Sequence, residues 1–381
     1  MRKRHEIAEF RKRLLSWFGQ FQRDLPWRQS KDPYRIWLSE IMLQQTRVAA
    51  VIPYFERFLE RFPDVQALAE APEEEVLRLW SGLGYYTRAR NLQAAAREMV
   101  VKHGGRFPHD PGQALDLPGI GPYTVAAILS IAYGAKLAVL DGNVARVIAR
   151  LEAIRGDLRT GGRWQALQAS ADALLEQESG GDWNQAMMEL GATICTPQAP
   201  QCLLCPVAKF CNARQMGLQD VIPEKRYKRA TENITLAAAV LLDPQGRTLL
   251  LPPPDANGKH ATHEIVMPLI SKMWHFPTVA VKTDSVEELR SLLGRLISPP
   301  ATNGALKLEA MAKARHAVTY RAVTLLPYRV MVRGLPECGG AKAVLLSELV
   351  LPSGLAVSNL TRKIARAALR EGGALGVARY S

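Results

Sequence analysis

Four cysteines, Cys195, Cys202, Cys205 and Cys211, fall within seventeen residues in the spacing C-x6-C-x2-C-x5-C. Thiolates gathered this closely can close around one metal centre, and Pro197, Pro200 and Pro206 keep their loop compact. By ligand type, zinc and an iron–sulfur cluster are both open. A second set has acid–base character. Glu40 and Gln44, four residues apart in SEIMLQQT, share a helix face among apolar neighbours, which would let a carboxylate and an amide into the core side. The alternative for Glu40 alone is a solvated surface glutamate. A third set is the glycine hairpin Leu115-Asp116-Leu117-Pro118-Gly119-Ile120-Gly121, whose backbone amides at the mouth of a helix suit a phosphate. Asp141 follows Gly121 by twenty residues, delivered by the apolar run 137–140 to the next helix start.

The elements that must position these residues are mostly helical over the first 215 or so positions. Asp32-Pro33 opens a helix whose apolar positions Ile36, Trp37, Ile41, Leu43 and Val48 carry the SEIMLQQT stretch through Thr46. Pro122 opens another, with Val125, Ala126, Ile128, Leu129 and Ala132 on its buried face and Gly134 as its stop. In WSGLGYYTRAR, residues 80–90, glycines bracket Leu83, and Tyr85-Tyr86 stand beside Arg88 and Arg90. Two readings stay open there: an apolar wedge and an aromatic ring entering a base stack, or a helix junction with its tyrosines packed inward.

The chain has 381 residues and a formal net charge of +13. That length can bury a sizeable core in two domains, and the charge favours a polyanionic partner over an unspecialised basic surface. No apolar run is long enough to span a bilayer, so nucleic acid is expected rather than membrane. The basic N-terminus lacks the apolar centre of a secretion signal, which places the protein in a reducing, cytoplasmic compartment with its cysteines as metal ligands or plain thiols. Cys338, far from the other four, is expected to be a buried thiol.

Taken together, the LPGIG hairpin, Asp141 and the four-cysteine loop resemble the helix-hairpin-helix DNA glycosylases of the endonuclease III superfamily. SEIMLQQT, the GLGYY loop and the second domain narrow the resemblance to members that remove adenine mispaired with 8-oxoguanine. The resemblance implies an all-α helix-hairpin-helix glycosylase domain over 1–194, a 4Fe-4S loop over 195–217, a basic linker over 218–233 and a Nudix-like α/β domain over 234–381. It assigns Glu40 as the acid that protonates the leaving base and Asp141 as the carboxylate that steadies the oxocarbenium-like sugar, the two-carboxylate logic of glycoside hydrolysis. Tyr123 and Asn143 would support them. The adenine pocket would comprise Trp27, Arg28, Leu43 and Gln185, with core packing the alternative for Trp27 and Leu43. Gln45, Thr46, Leu83 and Tyr85 would face the 8-oxoguanine side, and Gly119 and Gly121 the phosphates. The implied partner is double-stranded DNA holding an adenine:8-oxoguanine pair, bound by a monomer. Members that nick the strand carry a lysine where Tyr123 stands, and a tyrosine cannot form an imine, so the reaction implied is monofunctional. Where relatives often carry a lysine that traps product, this chain has Ala145.

Beyond Cys211 the character changes. Residues 221–229 read as a charged linker, after which TLAAAVLL, the turn Asp243-Pro244-Gln245-Gly246 and RTLLL are strand-like. Another strand is expected over 324–332 and helices over 286–296 and 359–369, with a loop at 252–258. Met273-Trp274-His275-Phe276-Pro277 marks the Nudix resemblance, yet no RExxEE-like segment follows, so nucleotide hydrolysis is not expected. The lesion-reading loop of relatives, Phe-Ser-His, is replaced by Val318-Thr319-Tyr320, in which only Thr319 keeps the hydroxyl. Arg362, Arg366 and Arg370 would form one solvated basic face of the last helix. Two other functions remain open on sequence: a lyase for oxidised pyrimidines and a non-catalytic iron–sulfur DNA-binding protein.

Overall fold

The computed structural model describes residues 4–224, 230–252, 273–296, 306–318, 320–350, 355 and 357–372. They fall into two compact units, residues 1–70 with 91–228 and residues 71–90 with 229–381. The helices up to the cysteine loop are α1 (Arg4–Phe21), α2 (Pro33–Leu43), α3 (Val48–Arg61), α4 (Val65–Glu70), α5 (Glu73–Trp80), α6 (Thr87–His103), α7 (Pro111–Asp116), α8 (Pro122–Tyr133), α9 (Gly142–Glu152), α10 (Gly161–Leu174) and α11 (Gly180–Thr193). A single turn, α12 (Asn212–Gln215), follows the loop.

In the first unit, α8 is the helix around which the site is built. Pro122 presets its first turn, and every residue from Thr124 to Ser130 is buried, so it is enclosed by α2 and α11 instead of showing one face to water. Its stop is Gly134, in the left-handed region at φ 70°, whose N–H bonds to Ser130 O. α11 also packs on α9, and a Cβ at Gly191 would lie 2.8 Å from Asn143 Cβ, so only glycine permits that approach. The apolar run 137–140 is pinned by the buried Asn184, which accepts from Val139 N–H and donates to Leu137 O. That clamp delivers Asp141 to the start of α9.

The second unit contains a mixed sheet in the order β4-β6-β1-β2-β7, with β3 paired to β1 and β5 to β6. Its strands are β1 (Glu232–Leu242), β2 (Arg247–Leu250), β3 (Thr278–Ala280), β4 (Glu309–Ala310), β5 (Ala314–Val318), β6 (Arg321–Met331) and β7 (Lys342–Leu345). β1 runs parallel to β6 from Glu232↔Arg321 to Leu242↔Met331. TLAAAVLL is buried on both sides because β1 is central. Leu236, Ala238 and Val240 meet helix α14 (Asn359–Gly372), while Ala237, Ala239 and Leu241 meet α13 (Ser285–Leu296). Helices thus cover both faces of the sheet. Met273, His275 and Phe276 are buried, and His275 exchanges backbone bonds with Leu251. Cys338 is partly buried and donates to Leu296 O.

Three expectations change. α2 stops at Leu43, so Gln44 does not share a helical face with Glu40; Gln44, Gln45 and Thr46 form a turn in which Gln45 adopts φ 56°. Arg362 is not on a solvated face. It flanks the apolar stripe Leu360, Ile364, Ala365 and Ala368 and is 8% exposed, leaving only Arg366 and Arg370 to solvent. In the 80–90 segment, Tyr86 and Leu83 are covered while Tyr85 is 47% exposed. Thr319, residues 225–229 of the linker and residues 253–258 of the expected loop lie outside the described residues.

Candidate active site

One cleft of about 530 Å³ in the helical unit gathers most of the residues singled out in the sequence. Glu40, Tyr123, Asp141 and Asn143 line it, and so do Trp27, Arg28, Leu43, Gln185, Gln45 and Thr46. Glu40 enters from α2 with Ser39 and Ile36 beside it, and only 8% of it is exposed. Tyr123, on the first turn of α8, donates its hydroxyl to Glu40 Oε2 at 2.6 Å and lies 3.3 Å from Met188 Sδ. Burial raises the Glu40 carboxyl; the Tyr123 bond and the charge of Arg28 pull it down, the Asp141 charge pushes it up, and it settles at about 7. Burial and the two neighbouring carboxylates push the Tyr123 phenol well above its ordinary value, so it stays a donor.

Asp141 is the N-cap of α9. Its Oδ1 accepts from Val144 N–H at 2.7 Å and its Oδ2 from Asn143 Nδ2 at 3.0 Å. Burial raises its pKa above the ordinary carboxylate value, and those two donors and Arg146 offset only part of that rise. The two carboxyls are therefore unlike: one accepts its hydrogen bond from a neutral phenol, the other from amides at the positive end of a helix.

The wall that carries Trp27 and Arg28 has its own supports. Trp27, 7% exposed, packs edge-on against Phe55 at 5.4 Å, so its core role and its lining role coincide. Arg28 bonds through Nη1 to Arg23 O and through Nη2 to Glu189 Oε2 at 2.7 Å. Glu189, 1% exposed, also binds Arg23 Nε and Nη2 at 2.7 and 2.8 Å. Burial raises this carboxyl too, but the hydrogen bonds and charges of Arg23 and Arg28 outweigh it and hold it at about 2. Neither Glu189 nor Arg23 stands in a sequence motif that marks it as part of the site. The available signal was Glu189 standing four residues after Gln185, on the same face of α11.

The hairpin forms as a turn at the entry of α8. Gly119 has φ 75°, and a Cβ there would meet Asn91 Cβ at 2.7 Å. Gly121 caps α8 without a side chain, and nothing stands within 4 Å of where its Cβ would be, so no neighbouring side chain covers the backbone at that point.

Cys195, Cys202, Cys205 and Cys211 line one cavity together with Val147, Arg150, Leu151 and Leu190. Among the described residues no three such ligands converge tightly enough for a single ion. Burial pushes the Cys205 thiol up to about 12 and raises Cys202 and Cys211, so these side chains would ionise only beside a cationic centre. Arg150, from α9, reaches Cys195 Sγ at 3.2 Å and bonds to Thr196 O and Ile222 O, and Arg146 bonds to Cys195 O and Asn143 Oδ1. These two arginines, also unanticipated, tie α9 to the cysteine loop. In donor type and surroundings the site fits a thiolate-bound metal centre.

Within the second unit, Tyr85 sits at φ 50° with its ring 5.4 Å from Arg88 Cζ. Ser81 Oγ and the Tyr86 hydroxyl both bond to Val357 O, and Asn359 Nδ2 bonds to Gly82 O. Leu83, expected in a wedge, is 8% exposed and covered in the free chain. Val318 and Tyr320 flank the tip of the β5–β6 hairpin, closed by the pair Val318↔Arg321.

Residues 38–168 match the HhH-GPD superfamily base excision DNA repair protein family. The chain is 34% identical over 369 residues to a rat adenine DNA glycosylase, covering 86% of this chain and 72% of the rat protein. It is 48% identical over 224 residues to the human adenine DNA glycosylase, covering 56% of this chain and 41% of the human protein, so it spans less than half of that relative's length. A solved thermostable thymine-DNA glycosylase superposes with a TM-score of 0.52 at 31% identity, covering 56% of this chain and 98% of that one. With the rat protein matched over most of both chains, and with paired carboxyls in a cleft of the matched domain, this chain belongs to the adenine DNA glycosylase family.

Proposed function

We propose that the chain is a monofunctional DNA glycosylase that excises adenine paired with 8-oxoguanine, or with guanine, from duplex DNA and leaves an abasic site. The observation that carries this reading is the pairing in one cleft of Glu40, whose carboxyl burial raises to about 7, with Asp141, whose two carboxylate oxygens accept hydrogen bonds at a helix cap. Tyr123 donates to Glu40 Oε2, which leaves Oε1 as the oxygen that carries the proton to the flipped base. Once that proton has moved, the C–N bond can break with neutral adenine departing. Asp141, steadied by Asn143 and Val144, faces the positive charge left on the sugar. Glu40, now ionised, can take a proton from the incoming water.

Trp27, Arg28, Leu43 and Gln185 form the base pocket; Gln45, Thr46 and Tyr85 face the opposite base, with Tyr85 the exposed ring available to enter the stack. Leu83 can take part only if its cover opens. Gly119 and Gly121 present amides to a phosphate, and the protein works as a monomer. The four cysteines would hold a 4Fe-4S cluster, which braces the loop on α9; base removal does not run through it. The C-terminal unit is read as a Nudix-like domain, supported by its mixed sheet with a helix on each face, and it checks the opposite strand through the segment containing Thr319.

The test is single-turnover digestion of duplexes carrying adenine opposite 8-oxoguanine, guanine or thymine, followed by alkali. Adenine release opposite 8-oxoguanine is expected, and Glu40→Gln and Asp141→Asn should each slow it by at least about a hundredfold. No release by the wild type would sink the reading, and strand nicking before alkali would remove the monofunctional part of it. A brown protein with broad visible absorbance is expected; a colourless zinc protein would count against the cluster.

A further inference from the structure

We infer that Glu189 is a positioning residue for the reaction proposed above: its buried carboxylate fixes Arg23 and Arg28 on the cleft wall and cancels their charge, so that Glu40 keeps its proton until the base takes it. The inference rests on that reading, because it concerns the acid that reading assigns.

Two guanidinium groups stand at the base side of a cleft whose chemistry requires a neutral carboxyl. Arg28 acts on Glu40 in the unwanted direction, since a nearby cation favours the anion. Left uncompensated, the Arg28 charge would favour the ionised form of Glu40, and both cations would repel a protonated base. Glu189 answers both. It takes two bonds from the Arg23 side chain, a third from Arg23 N–H at 3.2 Å, and one from Arg28 Nη2. Arg28 is further fixed by its bond to Arg23 O and by its position over the Phe18 ring at 5.4 Å. Its geometry is set before any base arrives, so it can serve as a fixed donor to an acceptor on the base edge. The groups that face Glu40 come from three elements: Tyr123 from α8, Asp141 from the cap of α9, with Arg146 behind it, and Arg28 from the turn after α1. On the cleft wall Glu189 sets its anion against Arg23 and Arg28, while Asp141 has Arg146 behind it. Glu189 touches neither Glu40 nor the reacting atoms and acts only through the arginines.

The experiment measures the pH dependence of single-turnover adenine release from an adenine:8-oxoguanine duplex for the wild type, Glu189→Gln, Arg28→Gln and the double variant. Excision needs protonated Glu40, so the rate falls as pH rises through its pKa. Glu189→Gln should move that alkaline fall to lower pH; each unit of movement lowers the rate on the falling limb about tenfold. Arg28→Gln should move it to higher pH, and the double variant should lie near the wild type. A uniform loss of rate in Glu189→Gln with the limb unmoved would mean a merely structural role and overturn the inference. Should Glu189→Gln fail to fold, Arg28→Gln decides, and a limb that stays put or moves downward is the overturning result. Thermal unfolding across the same pH range reads Glu40 without substrate: the window in which stability falls with rising pH should narrow in Glu189→Gln and widen in Arg28→Gln. Failure of the proposed function looks different, since the wild type would then release no adenine while these unfolding shifts persisted.

Discussion

Glu40 and Glu189 line one cleft, both on helices and both almost fully covered, yet one carboxyl is raised to about 7 and the other held at about 2. Burial pushes both upward, so burial does not separate them. The partners do. Glu40 has a neutral phenol and an anion nearby, whereas Glu189 accepts charge-assisted bonds from two guanidinium groups. A protein can thus build a proton donor and a fixed anion from the same side chain by choosing what stands within hydrogen-bonding reach.

Breaking the Glu189 side of the comparison should cost the fold most. Glu189→Ala leaves the covered Arg28 and the partly exposed Arg23 without their anion, and a loss of about 3 kcal/mol is expected in urea unfolding at neutral pH, the low end for a buried pair because water screens Arg23. Because its folded pKa is depressed, the wild-type advantage is fully present above the ordinary glutamate value and is lost as pH falls through about 2. A loss that stayed constant on acidification would mean that packing, not charge, holds Glu189.

On the Glu40 side the sign reverses. The native state holds a proton that the unfolded state releases, so wild-type stability should fall as pH rises from the ordinary value of 4.5 to about 7. Glu40→Gln removes that dependence and should stabilise the protein above neutrality by roughly 1–3 kcal/mol while abolishing excision. Thermal unfolding at acid and alkaline pH checks it. Equal or lower stability of the variant at alkaline pH would refute a raised Glu40.

The two glutamates also mark what the sequence could disclose. Asp32-Pro33, Pro122 and Gly134 announce α2 and α8 through local backbone chemistry, and TLAAAVLL announces a strand, though not that both its faces are buried. Glu40 became legible through the motif around it and the resemblance it supports. Glu189 did not, because its partners Arg23 and Arg28 lie more than 160 positions away and no local pattern links them. Arg146 and Arg150 were hidden likewise, since their acceptors are backbone carbonyls of a distant loop. The end of α2 at Leu43 was missed because the apolar period continues through Val48 while the backbone turns at Gln45. Arg362 was placed in solvent by its spacing from Arg366 and Arg370, but the flank of a buried stripe is covered too.

The smallest expected effect is the sharpest probe of how finely the Glu40 side is set. Tyr123→Phe removes one hydroxyl from the cleft and leaves every charge in place. The phenol bond to Oε2 favours the ionised carboxylate, so without it the Glu40 pKa should rise further and the alkaline fall in excision should move to higher pH. At lower pH, where Glu40 is protonated in both proteins, the variant should be slower by roughly two- to tenfold, the equivalent of about 0.5–1.5 kcal/mol for one hydrogen bond, because nothing then directs the proton to Oε1. The rate curves of the two proteins should therefore converge as pH increases. Parallel curves would mean that Tyr123 shapes the pocket without setting the acid, and a limb moved to lower pH would mean that the hydroxyl holds the proton on Glu40.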